Sequence, residues 1–152
     1  MLLKGSCHCR AVRFSLRSKT PYPYMWCYCS ICRKTAGGGG YAINIMGEAD
    51  SLKVKGRTKV YRVAKGGGER HFCPKCGSAL WVWDKRWPEW VYPFASAIDT
   101  PLPVPKQHQY IFLGSKASWT EVPKARKGDQ HFRQYPKEAI IDWHRKRGLL
   151  AA

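Results

Sequence analysis

Seven cysteines in three tight groups limit this 152-residue chain more than any other feature. Cys7 and Cys9 stand in "CHC", Cys27, Cys29 and Cys32 in "CYCSIC", and Cys73 and Cys76 in "CPKC". A secreted disulfide framework uses an even number of cysteines, and "MLLKGSCHC" does not read as a secretory signal. In a reducing compartment clustered thiols bind metal or do chemistry, and a cytoplasmic location is the default expectation. Zinc favours four tetrahedral ligands, and thiolates suit it.

The neatest partition is four plus three. Cys7, Cys9, Cys73 and Cys76 would close a structural zinc site, with Gly77 taking the positive φ that follows a zinc knuckle. Metal binding there becomes folding free energy and ties the N-terminus to the middle of the chain. A thioredoxin-like reading of Cys73 and Cys76 wants a helix after the pair, whereas "GSALWVW" reads as a strand. Cys27, Cys29 and Cys32 would then leave one tetrahedral position open, the mark of a catalytic zinc. Spacing alone leaves two alternatives standing. His8 or His71 could replace a ligand, and one site could draw on all three groups.

The rest of the chain reads as mainly β. "AVRFSL" (11–16), "YAINI" (41–45), "SLKVKG" (51–56), "KVYRVA" (59–64), "ALWVW" (79–83), "WVYPFA" (90–95) and "YIFLG" (110–114) have strand character. Ser30 is expected to cap a short helix after the thiol cluster, ended by the glycines at 37–40. "AKGGGERH" (64–71) lacks the ending of a phosphate-binding loop and reads as a hairpin turn. "IDTPLPVPKQ" (98–107) is a proline-stiffened loop. A C-terminal helix is expected at about 136–147, with Ile140, Trp143 and Arg147 on one face. Trp81, Trp83, Trp87 and Trp90 are candidates for core packing or for lining a pocket. The whole chain, 1–152, is expected to form one domain.

No apolar run approaches the roughly 20 residues that cross a bilayer. The formal charge of +17, from 27 Lys+Arg against 10 Asp+Glu, favours anionic partners. These include nucleic acid, although no repeated recognition module accompanies the charge.

Four segments together carry a resemblance. "KGSCHCRAVRF" (4–14), "WCYCSICRKTAG" (26–37), "HFCPKCGSALW" (71–81) and "YIFLGSKASW" (110–119) come in the order seen in the glutathione-dependent formaldehyde-activating enzyme family, which includes the centromere protein V group. The similarity spans roughly residues 4–120. It implies an Mss4-like fold, a β-tent of antiparallel sheets with small helices and a structural zinc. It also implies that Cys7, Cys9, Cys73 and Cys76 hold that zinc. Cys27, Cys29 and Cys32 would form the active cluster, with a second, labile zinc. The family's middle motif commonly reads Cys-His-Cys-Ser, and Tyr28 stands in place of that His. A residue between two ligands points away from the metal, so the ligand set survives.

The implied activity is a carbon-sulfur lyase or synthase reaction, joining glutathione and formaldehyde into S-(hydroxymethyl)glutathione. A related thiol and carbonyl pair is a variant of the same expectation. Arg33 and Lys34 are candidates to meet the carboxylates of glutathione. The competing reading is a zinc-stabilised binding protein without catalysis, with nucleic acid as its partner.

Overall fold

A computed structural model describes residues 1–66 and 68–152. Strands β1 (Leu2–Ser6) and β2 (Arg13–Arg17) open the chain, and β3 (Met25–Cys27) leads into helix α1 (Ser30–Thr35). The short β4 (Ala42–Ile43) and β5 (Gly47–Glu48) follow, then β6 (Lys53–Lys55), β7 (Lys59–Arg62) and β8 (Glu69–Phe72). Next come β9 (Ala79–Trp83), β10 (Trp90–Pro93), β11 (Gln109–Ile111), β12 (Gln130–His131) and helix α2 (Ile140–Lys146).

The strands make three sheets, ordered β1-β2-β6, β5-β10-β9-β8-β7 and β12-β11-β3-β4. Pairing is antiparallel throughout the first two. The third is mixed: β3 and β4 pair antiparallel, whereas β11 runs parallel to both β3 and β12. Mainly antiparallel β with small helices nevertheless describes the architecture. No helix among the described residues is long and apolar enough to cross a membrane.

Alternation builds the first core. In β1 and β2 every second residue turns inward, burying Leu3, Phe14 and Leu16. These pack with Val12, Ile45, Leu80, Trp81 and Val91, and Cys7 and Cys73 belong to the same cluster. Gly5 faces Phe14 across the ladder. A side chain there would collide with the Phe14 ring and the Ala97 carbonyl, so glycine permits the close approach.

Several expectations shift. "AKGGGERH" is a turn only in its first part, because Glu69 onward is strand β8, paired with both β7 and β9. Gly67 lies outside the described residues. "YIFLG" ends early, since Phe112 takes a left-handed φ of 57°. The C-terminal helix is shorter than 136–147 and starts only after Ala139, which is extended. Just before it, the Glu138 carboxylate accepts from Gln109 at 3.1 Å and from Lys146 at 3.0 Å. Trp143 stacks on Tyr24 at 3.7 Å between centroids, and the Arg147 guanidinium covers its ring at 4.5 Å.

Candidate functional site

The sulfurs of Cys7, Cys9, Cys73 and Cys76 all lie within 4.8 Å of one another. Two turns deliver them. Arg10, at φ 63°, returns its N–H to the Cys7 carbonyl at 3.0 Å. Gly77, at φ 75° as the knuckle requires, returns its N–H to the Cys73 carbonyl at 2.8 Å. The first turn closes over three residues and the second over four, and each bends the chain back beside its cysteine. The Val12 N–H donates to Cys7 Sγ at 3.3 Å. Hydrogen bonding to Ser78 draws the Cys76 thiol down to about 5. Cys7 and Cys73 are buried, whereas Cys9 and Cys76 are exposed.

The sulfurs of Cys27, Cys29 and Cys32 form a second group, also within 4.8 Å of one another. Cys27 ends β3, which β11 and β4 hold from both sides. Cys29 occupies the cap of α1 in extended conformation, and its Sγ accepts the Cys32 N–H at 3.3 Å. The expected cap, Ser30, is instead the first helical residue. A thiol in the capping position satisfies an orphan helical donor and holds two of the sulfurs in register.

Tyr28 points away from this cluster. It is fully buried, its ring is 5.3 Å from that of Tyr41, and its N–H donates to the Ile111 carbonyl at 3.0 Å. Its hydroxyl has no hydrogen-bond partner among the described residues.

Neither group includes a histidine. His8 is exposed and meets Ser78 through its backbone N–H. His71 stacks on Trp81 at 5.0 Å and contacts Thr58 at 3.1 Å. The two sets are also separate, so the reading as one site drawn from all three groups falls. None of the four tryptophans packs against the three-cysteine cluster. Trp81 is core, while Trp87 is exposed beneath the Arg86 guanidinium.

Phe94, Ile111, Ala42, Val82 and Phe132 wall the three thiols with apolar surface. In that setting the thiols compete for charge. Hydrogen bonds with Cys27 and Cys32 pull the Cys29 thiol down to about 2, whereas those with Cys29 and Cys32 push Cys27 up. One thiolate forms readily and opposes the next. A bound divalent cation removes that opposition, so the donor set and its surroundings fit a thiophilic metal.

A buried cation completes the cluster, and sequence reasoning missed it. Arg70, on β8, donates from Nη2 to Cys32 Sγ at 3.7 Å and from Nη1 at 3.9 Å. Nη1 also donates to Thr35 Oγ1 at 3.2 Å. The only signal in the chain was an arginine three residues before Cys73.

Thr35 also lines a polar groove of about 650 Å³ between α1 and the four-cysteine site, with Lys34, Arg10, His8 and Ser78. Lys34 is exposed on its wall, and Arg33 is half-buried elsewhere on the helix. Among the described residues that line the groove there is none of the three clustered thiols, and it approaches them through Ala36 and Ala79.

Fold and site together define a mainly β protein with a four-thiol group and a separate, apolar-walled three-thiol group, each able to take a metal ion. The chain belongs to the glutathione-dependent formaldehyde-activating enzyme family, whose model matches residues 2–113. It is 56% identical, over 98% of both chains, to a Halomonas elongata protein whose name provisionally assigns it to those enzymes. It is also similar to a Rhodobacter sphaeroides protein solved by crystallography, with 25% identity and a TM-score of 0.55. That likeness covers 66% of this chain and 91% of the other.

Proposed function

We propose that the chain is a zinc-dependent carbon-sulfur lyase-type enzyme that joins glutathione and formaldehyde reversibly. The observation that carries this reading is the convergence of Cys27, Cys29 and Cys32 inside an apolar wall, in a chain of this family. Cys7, Cys9, Cys73 and Cys76 hold a structural zinc, and 1–152 acts as one domain. The donors are soft thiolates, which suit zinc, and the metal held by the trio would lower the pKa of a substrate thiol.

In the reaction the glutathione sulfur bonds to the carbonyl carbon of formaldehyde. The carbonyl π pair moves to oxygen, and the proton lost by the thiol ends on that oxygen. The chain's own residues prepare this. Phe94, Ile111 and Phe132 limit water around the sulfurs, which strengthens each charge interaction there. The Cys29 cap and the β3 pairing keep the three sulfurs in place before substrate arrives. Three thiolates around a divalent cation leave one net negative charge, and Arg70 offsets it. Lys34, on the groove wall, meets a glutathione carboxylate, with Arg33 nearby on the same helix.

The test compares turnover with the spontaneous reaction, using exchange NMR of glutathione and formaldehyde. The wild-type protein accelerates exchange. Cys32→Ser returns it to the spontaneous rate and lowers zinc from two ions per chain to one, while the fold persists. Unchanged turnover in that variant would overturn the assignment.

A further inference from the structure

The outer face of the β1-β2-β6 sheet concentrates positive charge. Alternation turns Leu3, Phe14 and Leu16 inward and leaves Lys4, Arg13 and Ser15 on the outside. Register places Arg13 directly opposite Lys55, and Ser15 opposite both Lys4 and Lys53. These residues, with Arg10, line a shallow groove of about 660 Å³. Lys4, Arg10, Arg13, Lys53 and Lys55 are all exposed. None of the five makes an ion pair among the described residues. The one carboxylate in the groove, Asp99, accepts a hydrogen bond from Ser6 Oγ at 2.6 Å.

Like charges directly opposite across a ladder destabilise a sheet. The face therefore keeps its charge against the interest of the fold, and an anionic occupant would relieve it.

We propose that this sheet face binds the phosphate backbone of duplex nucleic acid without reading its sequence. Charge complementarity names the partner. Protein interfaces are depleted in lysine, and their cores are apolar and aromatic, whereas Val54 is the only exposed large apolar side chain in this groove. Single-strand sites stack bases on exposed aromatics, and the one aromatic in this groove, Phe14, is buried. Backbone phosphates need cations and hydroxyl donors, which Arg13, Lys55, Lys53, Lys4 and Ser15 present from neighbouring strands. Among the described residues this face is three paired strands, with no helix on it to enter a groove and reach base edges. The groove shares Ser6, Arg10 and Asp99 with the groove beside α1, so the positive track runs on toward Lys34.

The test is fluorescence anisotropy of a labelled 20-base-pair duplex of arbitrary sequence with the zinc-loaded protein, titrated at several salt concentrations. With the five cations Lys4, Arg10, Arg13, Lys53 and Lys55 each neutralising one phosphate, the slope of log K against log salt is expected to be about −4.5. The triple variant Arg13→Gln, Lys53→Gln, Lys55→Gln should make that slope shallower by about 2.7. It should keep wild-type zinc content and glutathione-formaldehyde exchange. A control triple, Lys116→Gln, Lys124→Gln, Lys127→Gln, removes the same charge elsewhere and should leave the slope near wild type. Absence of binding at 50 mM salt, equal losses in the two triples, or tighter binding to vesicles of anionic lipid than to duplex would each overturn the proposal.

Discussion

The guanidinium of Arg70 on β8 lies 3.7 Å from the sulfur of Cys32 on α1. They are 38 residues apart in the chain, so local folding does not bring them together. The β7-β8-β9 pairing and the packing of α1 over Ala79 do so, and they place a permanent cation against the three-thiol cluster. Groups that support a ligand set from outside are worth about 10–100-fold in metal affinity. Arg70→Met is therefore expected to weaken zinc at the trio by about that factor while the four-cysteine ion stays bound. Competition with a chromogenic chelator would show one zinc per chain becoming easy to remove. Arg70→Lys, which keeps charge but loses the planar fork, should fall between the two. Two equally tight ions in Arg70→Met would contradict the assigned role.

Cys73 is fully buried and takes part in both the four-thiol group and the first hydrophobic cluster. Cys73→Ser should abolish cooperative thermal unfolding or lower Tm severely, because structural zinc binding is folding free energy. Chelator treatment of the wild type should reproduce the effect. A normal Tm with full zinc content would refute the staple.

Tyr28 is turned into the aromatic cluster, with its hydroxyl unpartnered among the described residues. Tyr28→Phe should hold or raise stability by about 1 kcal/mol in chemical denaturation, since an unpaired buried hydroxyl costs about that much or more. Tyr28→His, which restores the family's usual residue, should leave zinc stoichiometry unchanged and destabilise the fold by about 2–4 kcal/mol, through lost volume and a buried polar ring. A change in zinc content in Tyr28→His would show that this position faces the metal.

Burial lowers the pKa of His144, with the Arg147 charge adding to the effect against the opposing Ile140 carbonyl bond. The folded protein thus binds its proton less readily than the unfolded chain, whose histidine titrates near about 6.5. This contribution to stability is complete above that value and is lost as pH falls through the depressed folded pKa. His71 and His108 are shifted the same way, first by desolvation. Denaturation midpoints should therefore drop between pH 7.5 and 5.5, and His144→Gln should flatten part of the slope. An identical pH slope in that variant would remove His144 from the account.

Strand β9 was legible because "ALWVW" is long enough to display its character, and its boundaries, 79–83, match. The six-residue helix after the thiols was legible too, although its cap fell one residue earlier, on a sulfur rather than a hydroxyl. Strand β3 was not. "MWC" has no measurable period, and its partner β11 lies more than eighty residues away in a parallel register. Strand β8 was hidden by the glycines before it, and Arg70 was hidden with it.

By itself the sequence determined the ligand arithmetic: seven thiols in groups of two, three and two, with Gly77 placed for a knuckle. Short spacings impose those neighbours whatever the fold, because few torsions separate them. Only the tertiary structure decided which pairs combine, which way Tyr28 turns, and which cation faces Cys32. It also decided that Lys4, Arg13, Lys53 and Lys55 share one surface. Each of these depends on strand pairing between distant segments, where a shift of one residue reverses every side chain.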